Sequence, residues 1–282
     1  MRVLITGAGG QVGHELVETF RADGHDVHGF DHASLDITDR DAVMAAIIAV
    51  HPDAVIHPAA WTAVDACEAD PERAFLVNAL ATRFIVEAAR IVGAPVHYVS
   101  TDYVFDGTKS SPYVEWDTTA PSSVYGASKL AGELELGAES SIIRTSWVCG
   151  YHGGNMVKTI LRIAAENDRL SFVDDQHGHP TFADDLAVMI KRIVVDRRTG
   201  TFHVTNQGAV SWFDFAQEVL IASGADPARV QPVATADLQP PRPAPRPANS
   251  VLENAALRLS GIELLDDFRI PLQRLVNRIL AD

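Results

Sequence analysis

Cysteine is scarce in this chain of 282 residues: Cys67 and Cys149 are the only two. Two cysteines cannot build a disulfide framework for a domain of this size, which removes the disulfide-stapled secreted class. Positive charge is also in short supply, with 23 Lys and Arg against 37 Asp and Glu and a net charge of −14. No Lys/Arg-rich run exists to follow a phosphate backbone, so no nucleic acid partner is expected. No uninterrupted apolar run reaches transmembrane length, so no membrane association is expected either. No signal-peptide pattern precedes the strand that opens at Arg2, and a cytoplasmic location is the expectation. Internal repeats are lacking. The eleven histidines include no pair at ligand spacing with an acidic or cysteine partner, so no metal site is read from them. An acidic chain that binds an anionic cofactor must do so locally, with backbone N–H groups or a few placed cations.

What is present is a globular composition, 47% apolar and 21% charged, enough for one large domain or one with a smaller lobe grafted on. Short apolar runs at 2–6, 27–30, 54–57 and 95–100 read as strands, and 12–20, 39–50 and 72–93 as helices between them. Pro71 opens the last of these helices and Gly93 closes it. A helix over 125–137 and a strand over 141–144 continue the series. This alternation implies right-handed βαβ crossovers, hence an α/β fold of the Rossmann type: a doubly wound parallel sheet. Residues 1–147, with interleaved later segments, form the dinucleotide-binding part in this reading. Residues 148–282 form mainly a smaller substrate-binding lobe. Its helices fall near 155–167, 183–196, 211–223 and 269–281, with strands at 170–173 and 201–204. The proline-rich stretch 240–247 cannot be helix or central strand, and composition alone makes it a linker.

Gly7-Ala8-Gly9-Gly10-Gln11-Val12-Gly13 follows the first strand and opens the first helix. Glycines at 7, 10 and 13 let the backbone approach a pyrophosphate, and the helix N-terminus stabilises its charge. The strand–turn–helix setting is the context such a motif requires. Asp31, at the end of the second strand, is either a solvated strand-end acid or an acceptor for an adenosine ribose, which would favour NAD(H); NADP(H) stays open, with His32 adjacent. Asp36 and Ile37 fall where adenine should lie. Ala59, Ala60 and Trp61 follow the third strand at the ligand-binding edge of the sheet.

Tyr125-Gly126-Ala127-Ser128-Lys129 places a phenol and an ammonium one helical turn apart. A free phenol is a poor acid or base at neutral pH, and a nearby ammonium lowers its pKa. The same lysine can hold cofactor ribose hydroxyls. The fourth strand ends in Ser100 and Thr101, either of which could polarise a substrate carbonyl or merely cap the next turn; Thr101 is the preferred candidate. Together these parts describe hydride transfer, with the proton supplied by Tyr125.

These residues resemble the extended short-chain dehydrogenase/reductases, and within them the dTDP-4-dehydrorhamnose reductase family. The resemblance runs through the glycine turn, Thr62-Ala63-Val64-Asp65, Ser100-Thr101-Asp102-Tyr103-Val104-Phe105-Asp106-Gly107 and the segment from Val124 to Glu133. It continues through Arg144-Thr145-Ser146-Trp147-Val148, Asp175-Gln176-His177-Gly178-His179-Pro180-Thr181 and the segment 243–250. It implies NADPH or NADH as cofactor and a nucleotide-sugar substrate, a dTDP-4-keto-6-deoxyhexose reduced at C4. It implies catalytic or substrate roles for Thr101, Asp102, Tyr125, Lys129 and Trp147, with Val104 and Phe105 beside them. The proline-rich stretch then becomes a candidate substrate wall, in which Arg242 or Arg246 meets the diphosphate with a guanidinium fork. Core packing is the alternative reading of Trp147. His57, Cys149 and His179 depart from the family pattern and bear on the shape of the sugar pocket. Some members bind Mg²⁺ between subunits of a homodimer through glutamates. Glu15 matches one such position, Asp184 stands where a second glutamate would be and no third is placed, while the residues alone make Glu15 a solvated first-turn acid. Two other functions fit the same pattern: a 4-ketoreductase for a different deoxysugar, and a non-catalytic dinucleotide-binding regulatory subunit.

Overall fold

The computed structural model describes residues 1–281. Its first half alternates strand and helix: β1 (Arg2–Thr6), α1 (Gln11–Ala22), β2 (Asp26–Phe30), α2 (Arg40–Val50), β3 (Ala54–His57), α3 (Val64–Ala69), α4 (Pro71–Phe75), α5 (Ala81–Val92), β4 (Val96–Thr101), α6 (Val124–Glu133) and β5 (Ser141–Thr145). The second half holds β6 (Val148–Cys149), α7 (Met156–Glu166), β7 (Leu170–Val173), β8 (His177–Gly178), β9 (Thr181–Phe182), α8 (Ala183–Val195), β10 (Gly200–His203), β11 (Val210–Ser211), α9 (Trp212–Ala222), β12 (Val230–Val233), α10 (Ala255–Leu259) and α11 (Arg269–Ala281). Six strands form one parallel sheet in the order β10-β5-β4-β3-β1-β2. The chain reverses its direction of winding between β1 and β3, so a crevice opens beyond their C-terminal ends.

Side-chain alternation explains why these strands are buried on both faces. Val3 and Ile5 face α1 and α8, where they meet Leu16, Phe20, Leu186 and Ile190. Leu4 and Val55 face α2 and α5, where they meet Val43, Ile47, Ile85 and Val86. A third cluster, rich in aromatics, gathers α7, α9 and α11 around Phe182, Phe215 and Phe268. Thus β10, α8 and the α10 segment (Leu257, Ile262) return to the sheet, while α7, α9 and α11 build a core of their own. Among the described residues no helix is long and apolar enough to cross a membrane.

The single helix expected over 72–93 is interrupted. Leu76–Leu80 forms a π-helical turn between α4 and α5, a feature concentrated at functional sites. Asn78 sits in it with every group engaged. Its amide oxygen accepts from the Trp61 N–H (2.8 Å), and its amide nitrogen donates to the Trp61 carbonyl (3.1 Å) and to Ser128 Oγ (2.9 Å). Its carbonyl accepts from the Tyr98 hydroxyl at 3.0 Å. The wide turn therefore ties the loop after β3 to α6.

A buried ion pair joins α6 to the sheet. Glu133 accepts from Arg144 Nε (2.9 Å) and Nη2 (2.7 Å) and from Ser100 Oγ (2.5 Å). Removing one partner of such a pair leaves an uncompensated charge in low dielectric. Glu133→Ala should lower unfolding free energy by about 3–5 kcal/mol in urea titration, whereas the double replacement Glu133→Leu with Arg144→Met should recover most of that loss. A single variant within about 0.5 kcal/mol of the parent would contradict this assignment.

Candidate active site

β1 delivers the chain into a turn that only glycine can make at two points. Gly7 has φ +59°, and a Cβ there would stand 2.9 Å from Ala59 Cα; a Cβ on Gly13 would stand 2.0 Å from the Gly7 carbonyl oxygen. The turn closes with the Gly10 N–H donating to the Gly7 carbonyl at 2.9 Å. No side chain caps the start of α1 and no acidic residue lies in its first turn, so its N–H groups face the crevice ready for an anion. Glu15 is consequently not the first-turn acid that the sequence suggested. This backbone cradle, which a side chain would fill, fits a dinucleotide pyrophosphate.

One continuous cavity of about 1020 Å³ runs from that turn to α6, at the upper end of the range for small-molecule sites. At one end it is lined by Gly7, Gly10, Gln11, Val12, Gly13, Asp31, Asp36 and Ile37. Its middle holds Ala59, Ala60 and Trp61, and its other end Thr101, Asp102, Tyr125, Lys129 and Trp147. Some of these side chains already have partners. Gln11 Oε1 accepts from the Gly150 N–H (2.8 Å) and from Asn155 Nδ2 (3.1 Å), which joins α1 to the later lobe. Asp31 Oδ1 accepts from Ser34 Oγ (2.7 Å) and from the backbone of Ala33 and Ser34, and the Ser34 bond leads in holding its carboxyl below the usual range.

Ser123 caps α6 by accepting from the Gly126 N–H (3.1 Å), which fixes Tyr125 and Lys129 on one face. Both are buried. Burial pushes the Tyr125 phenol well above its usual value, with the Thr101 hydroxyl pulling the other way. Burial brings Lys129 down to about 7, opposed by Glu133. Lys129 is not among the leading influences on the Tyr125 phenol. Its Nζ turns toward the sheet, donates to the Val99 carbonyl at 2.8 Å and lies 3.9 Å from the centre of the Tyr98 ring. Desolvation therefore governs the phenol, which stays protonated.

Thr101 caps the next turn, one of its two expected roles, and also lines the cavity. Its hydroxyl accepts from the Tyr103 N–H (3.2 Å), capping the next turn, and donates to Asp102 Oδ1 (2.9 Å) inside the cavity. Asp102 is buried, and desolvation raises its carboxyl to about 6 against the Ser250 and Thr101 hydroxyls. Ser100 is committed to Glu133.

Several expected contacts are absent. Val104 and Phe105 are fully buried in a separate cluster with Tyr113 and Leu252; Phe105 stacks on Tyr113 at 4.3 Å, and neither lines the cavity. Ser100 to Tyr103 line the cavity, and the chain then turns so that Val104 and Phe105 enter the core. The proline-rich strap contributes no lining residue. Arg246 donates to both Asp65 oxygens (2.5 and 2.7 Å), and the Ala244 N–H adds a third bond to that carboxylate (3.1 Å). Arg242 is exposed and lies outside the cavity lining. Asp65 thus satisfies the fork proposed for a diphosphate. His57, Cys149 and His179 sit behind the wall, not on its surface. His57 pairs with Thr6 Oγ1 at 2.7 Å, and burial, with Lys129 adding to it, lowers it to about 3, so it is neutral.

Glu15 and Asp184 share a small cleft with Arg274 and Arg278. Arg274 donates to both Asp184 and Asp185. Burial, then Asp184, raises the Glu15 carboxyl. Among the described residues no group of three or more His, Cys, Asp or Glu could hold a metal ion. Within this one chain the cleft offers Glu15 and Asp184, and Asp184 is already paired with Arg274.

Other lining residues were not anticipated. Arg73 reaches the cavity with its guanidinium 4.5 Å from the Trp61 ring centre, and Tyr103, Thr145 and Ser146 line it as well. Asn78 shapes it from behind. Its signal was visible as one polar residue inside an apolar helical run; the others carried none.

Comparison with known proteins agrees with this geometry. The family model described as the RmlD substrate binding domain matches residues 1–281. A dTDP-4-dehydrorhamnose reductase of Streptomyces griseus is 41% identical over 280 residues, covering 96% of this chain and 91% of the relative. A probable dTDP-4,6-dihydroxy-2-methyloxan-3-one 4-ketoreductase of Streptomyces antibioticus is also 41% identical, over 100% of this chain and 96% of the relative. The crystal structure of a dTDP-4-dehydrorhamnose reductase from Bacillus anthracis in complex with NADP superposes with a TM-score of 0.94 at 38% identity, covering 98% of this chain and 99% of that one. The chain belongs to the dTDP-4-dehydrorhamnose reductase family, within the extended short-chain dehydrogenase/reductases.

Proposed function

We propose that this chain reduces the C4 ketone of dTDP-4-dehydrorhamnose with a nicotinamide dinucleotide, NADPH or NADH, to give dTDP-L-rhamnose. The observation that carries the proposal is the continuity of one cavity from the glycine cradle to Tyr125 and Thr101. The cradle and α1 hold the pyrophosphate, Asp31 the adenosine ribose, and Asp36 and Ile37 border the adenine. Lys129 holds the second ribose. The cofactor, when bound, supplies the hydride. On substrate binding the Thr101 hydroxyl turns its one proton from Asp102 to the substrate carbonyl oxygen and polarises it. Tyr125, kept protonated by burial, delivers the proton to that oxygen. Asp102 accepts a sugar hydroxyl and Trp147 forms the wall. The lobe from residue 148 onward completes the sugar-nucleotide side.

A second reading has a specific basis. The Streptomyces antibioticus ketoreductase is as similar to this chain as the Streptomyces griseus reductase, which favours a different dTDP-deoxysugar as the alternative substrate. A regulatory subunit that only binds dinucleotide would not need Tyr125, Lys129 and Thr101 to converge on one cavity. Steady-state oxidation of NADPH and of NADH with each of the two 4-keto sugars separates all three readings. The proposal requires the highest kcat/KM with dTDP-4-dehydrorhamnose; tight cofactor binding with no turnover on either sugar would overturn it.

Tyr125→Phe should keep cofactor affinity, read by fluorescence titration, and lose about 10²–10⁴-fold in kcat. Loss of less than about threefold would remove Tyr125 as the proton donor.

Lys129 carries a second consequence. Its native pKa is about 7 against 10.5 as reference, so between those values the unfolded chain binds a proton that the native chain lacks. Stability then rises with pH across that window, and the buried charge destabilises the fold most below about pH 7. Lys129→Met should therefore raise Tm near pH 6, with the gain shrinking toward pH 10, while turnover falls. A Tm difference independent of pH would contradict a buried titrating amine.

A further inference from the structure

Trp147 has φ +46°, the left-handed region in which a bulky residue is a strained outlier. Such strain persists only where the surroundings over-determine the conformation. Here the Trp147 carbonyl accepts from the Thr181 N–H at 3.3 Å and from Cys149 Sγ at 3.5 Å. The indole stacks on Trp212 with ring centres 3.6 Å apart and planes 10° from parallel. It also rests against Gly178, where a Cβ would stand 2.6 Å from the ring.

Gly178 and Trp212 are set by one local feature. β8 pairs antiparallel with β11, Val210 opposite Gly178 and Ser211 opposite His177. Ser211 then caps α9 reciprocally with Asp214, which makes Trp212 the first residue of that helix. A two-residue ladder and a capping box thus place both supports of the indole. Neither support lines the cavity, whereas Trp147 does.

We infer that Trp212 and Gly178 are positioning residues for the nucleotide sugar, acting by holding the Trp147 indole as a rigid, specificity-determining wall. This rests on the reading of Trp147 as part of the substrate site. Trp212 supplies a flat partner whose stacking resists rotation of the indole. Gly178 supplies the absence of a side chain that lets the indole sit close to β8. Loosening either support widens the wall on the sugar side only, because the cofactor cradle lies at the other end of the cavity.

The test compares Trp147→Leu, Trp212→Leu, Trp212→Phe and Gly178→Ala by KM and kcat for dTDP-4-dehydrorhamnose, Kd for NADPH and circular dichroism. Stacked indoles couple and give a paired band. Gly178→Ala retains both indoles, so weakening of that band reports displacement of Trp147 rather than its loss. Trp212→Leu should raise the sugar KM about two- to tenfold, the factor corresponding to one aromatic pair. NADPH affinity should not change. Trp212→Phe should restore KM to within about twofold of the parent, since a ring still stacks there. Gly178→Ala should raise KM and weaken the band together. Parental KM in both Trp212→Leu and Gly178→Ala, with KM raised in Trp147→Leu, would overturn the positioning role and leave the wall standing. Parental KM in Trp147→Leu would overturn the wall itself, and the inference with it.

Discussion

The first helix lies so close to the chain that enters it that Gly13 has no room for a Cβ, which would meet the Gly7 carbonyl oxygen at 2.0 Å. Much follows from that contact. It brings the uncapped end of α1 against the end of β1, at the point where the sheet changes its direction of winding. Gly7 in turn leaves space for Ala59 at the end of the β3 segment. Asn78 then secures the next residues of that loop by clasping both backbone groups of Trp61. Without the first approach the crevice would be filled by side chains, and no backbone cradle would remain to offset the repulsion between an anionic cofactor and a chain of net charge −14.

The other end of the crevice is held by burial at a cost. Lys129 is a fully buried cation whose pKa falls to about 7, and Glu133 with Arg144 is a buried pair one turn further along α6. Neither arrangement is what stability alone would select. Both keep α6 in one rotational setting against β4 and β5, so that the Tyr125 phenol and the Thr101 hydroxyl face the same space. The site is rigid because its supports are on regular elements; the exception, Trp147, lies just beyond β5 and is held by aromatic stacking instead.

Legibility in the sequence followed period and spacing. The strand and helix series, the glycine turn and the phenol–ammonium pair were readable because each is a local pattern with a local cause. The π-helical turn at Leu76–Leu80 was not, because an apolar run has the same period whether or not one turn widens; Asn78 alone hinted at it. Arg246 was misplaced for a different reason. A guanidinium fork matches a diphosphate and a carboxylate equally well, and only the folded chain brings Asp65 beside it. Val104 and Phe105 were misplaced because a motif names neighbours in sequence, whereas the turn after β4 leaves Ser100 to Tyr103 on the cavity and carries the next two residues into the core. Lys129 was found from its spacing to Tyr125, but that spacing did not show that its Nζ bonds the Val99 carbonyl or that desolvation leads the shift of the phenol.

The account centres on hydride delivery to one carbon while Tyr125 protonates the attached oxygen. Its most direct test is a reaction of dTDP-4-dehydrorhamnose with NADPH deuterated at the nicotinamide C4, with the product read by NMR. The account requires deuterium on C4 of the sugar. A reduced sugar with deuterium elsewhere, or no reduced sugar at all, would contradict it.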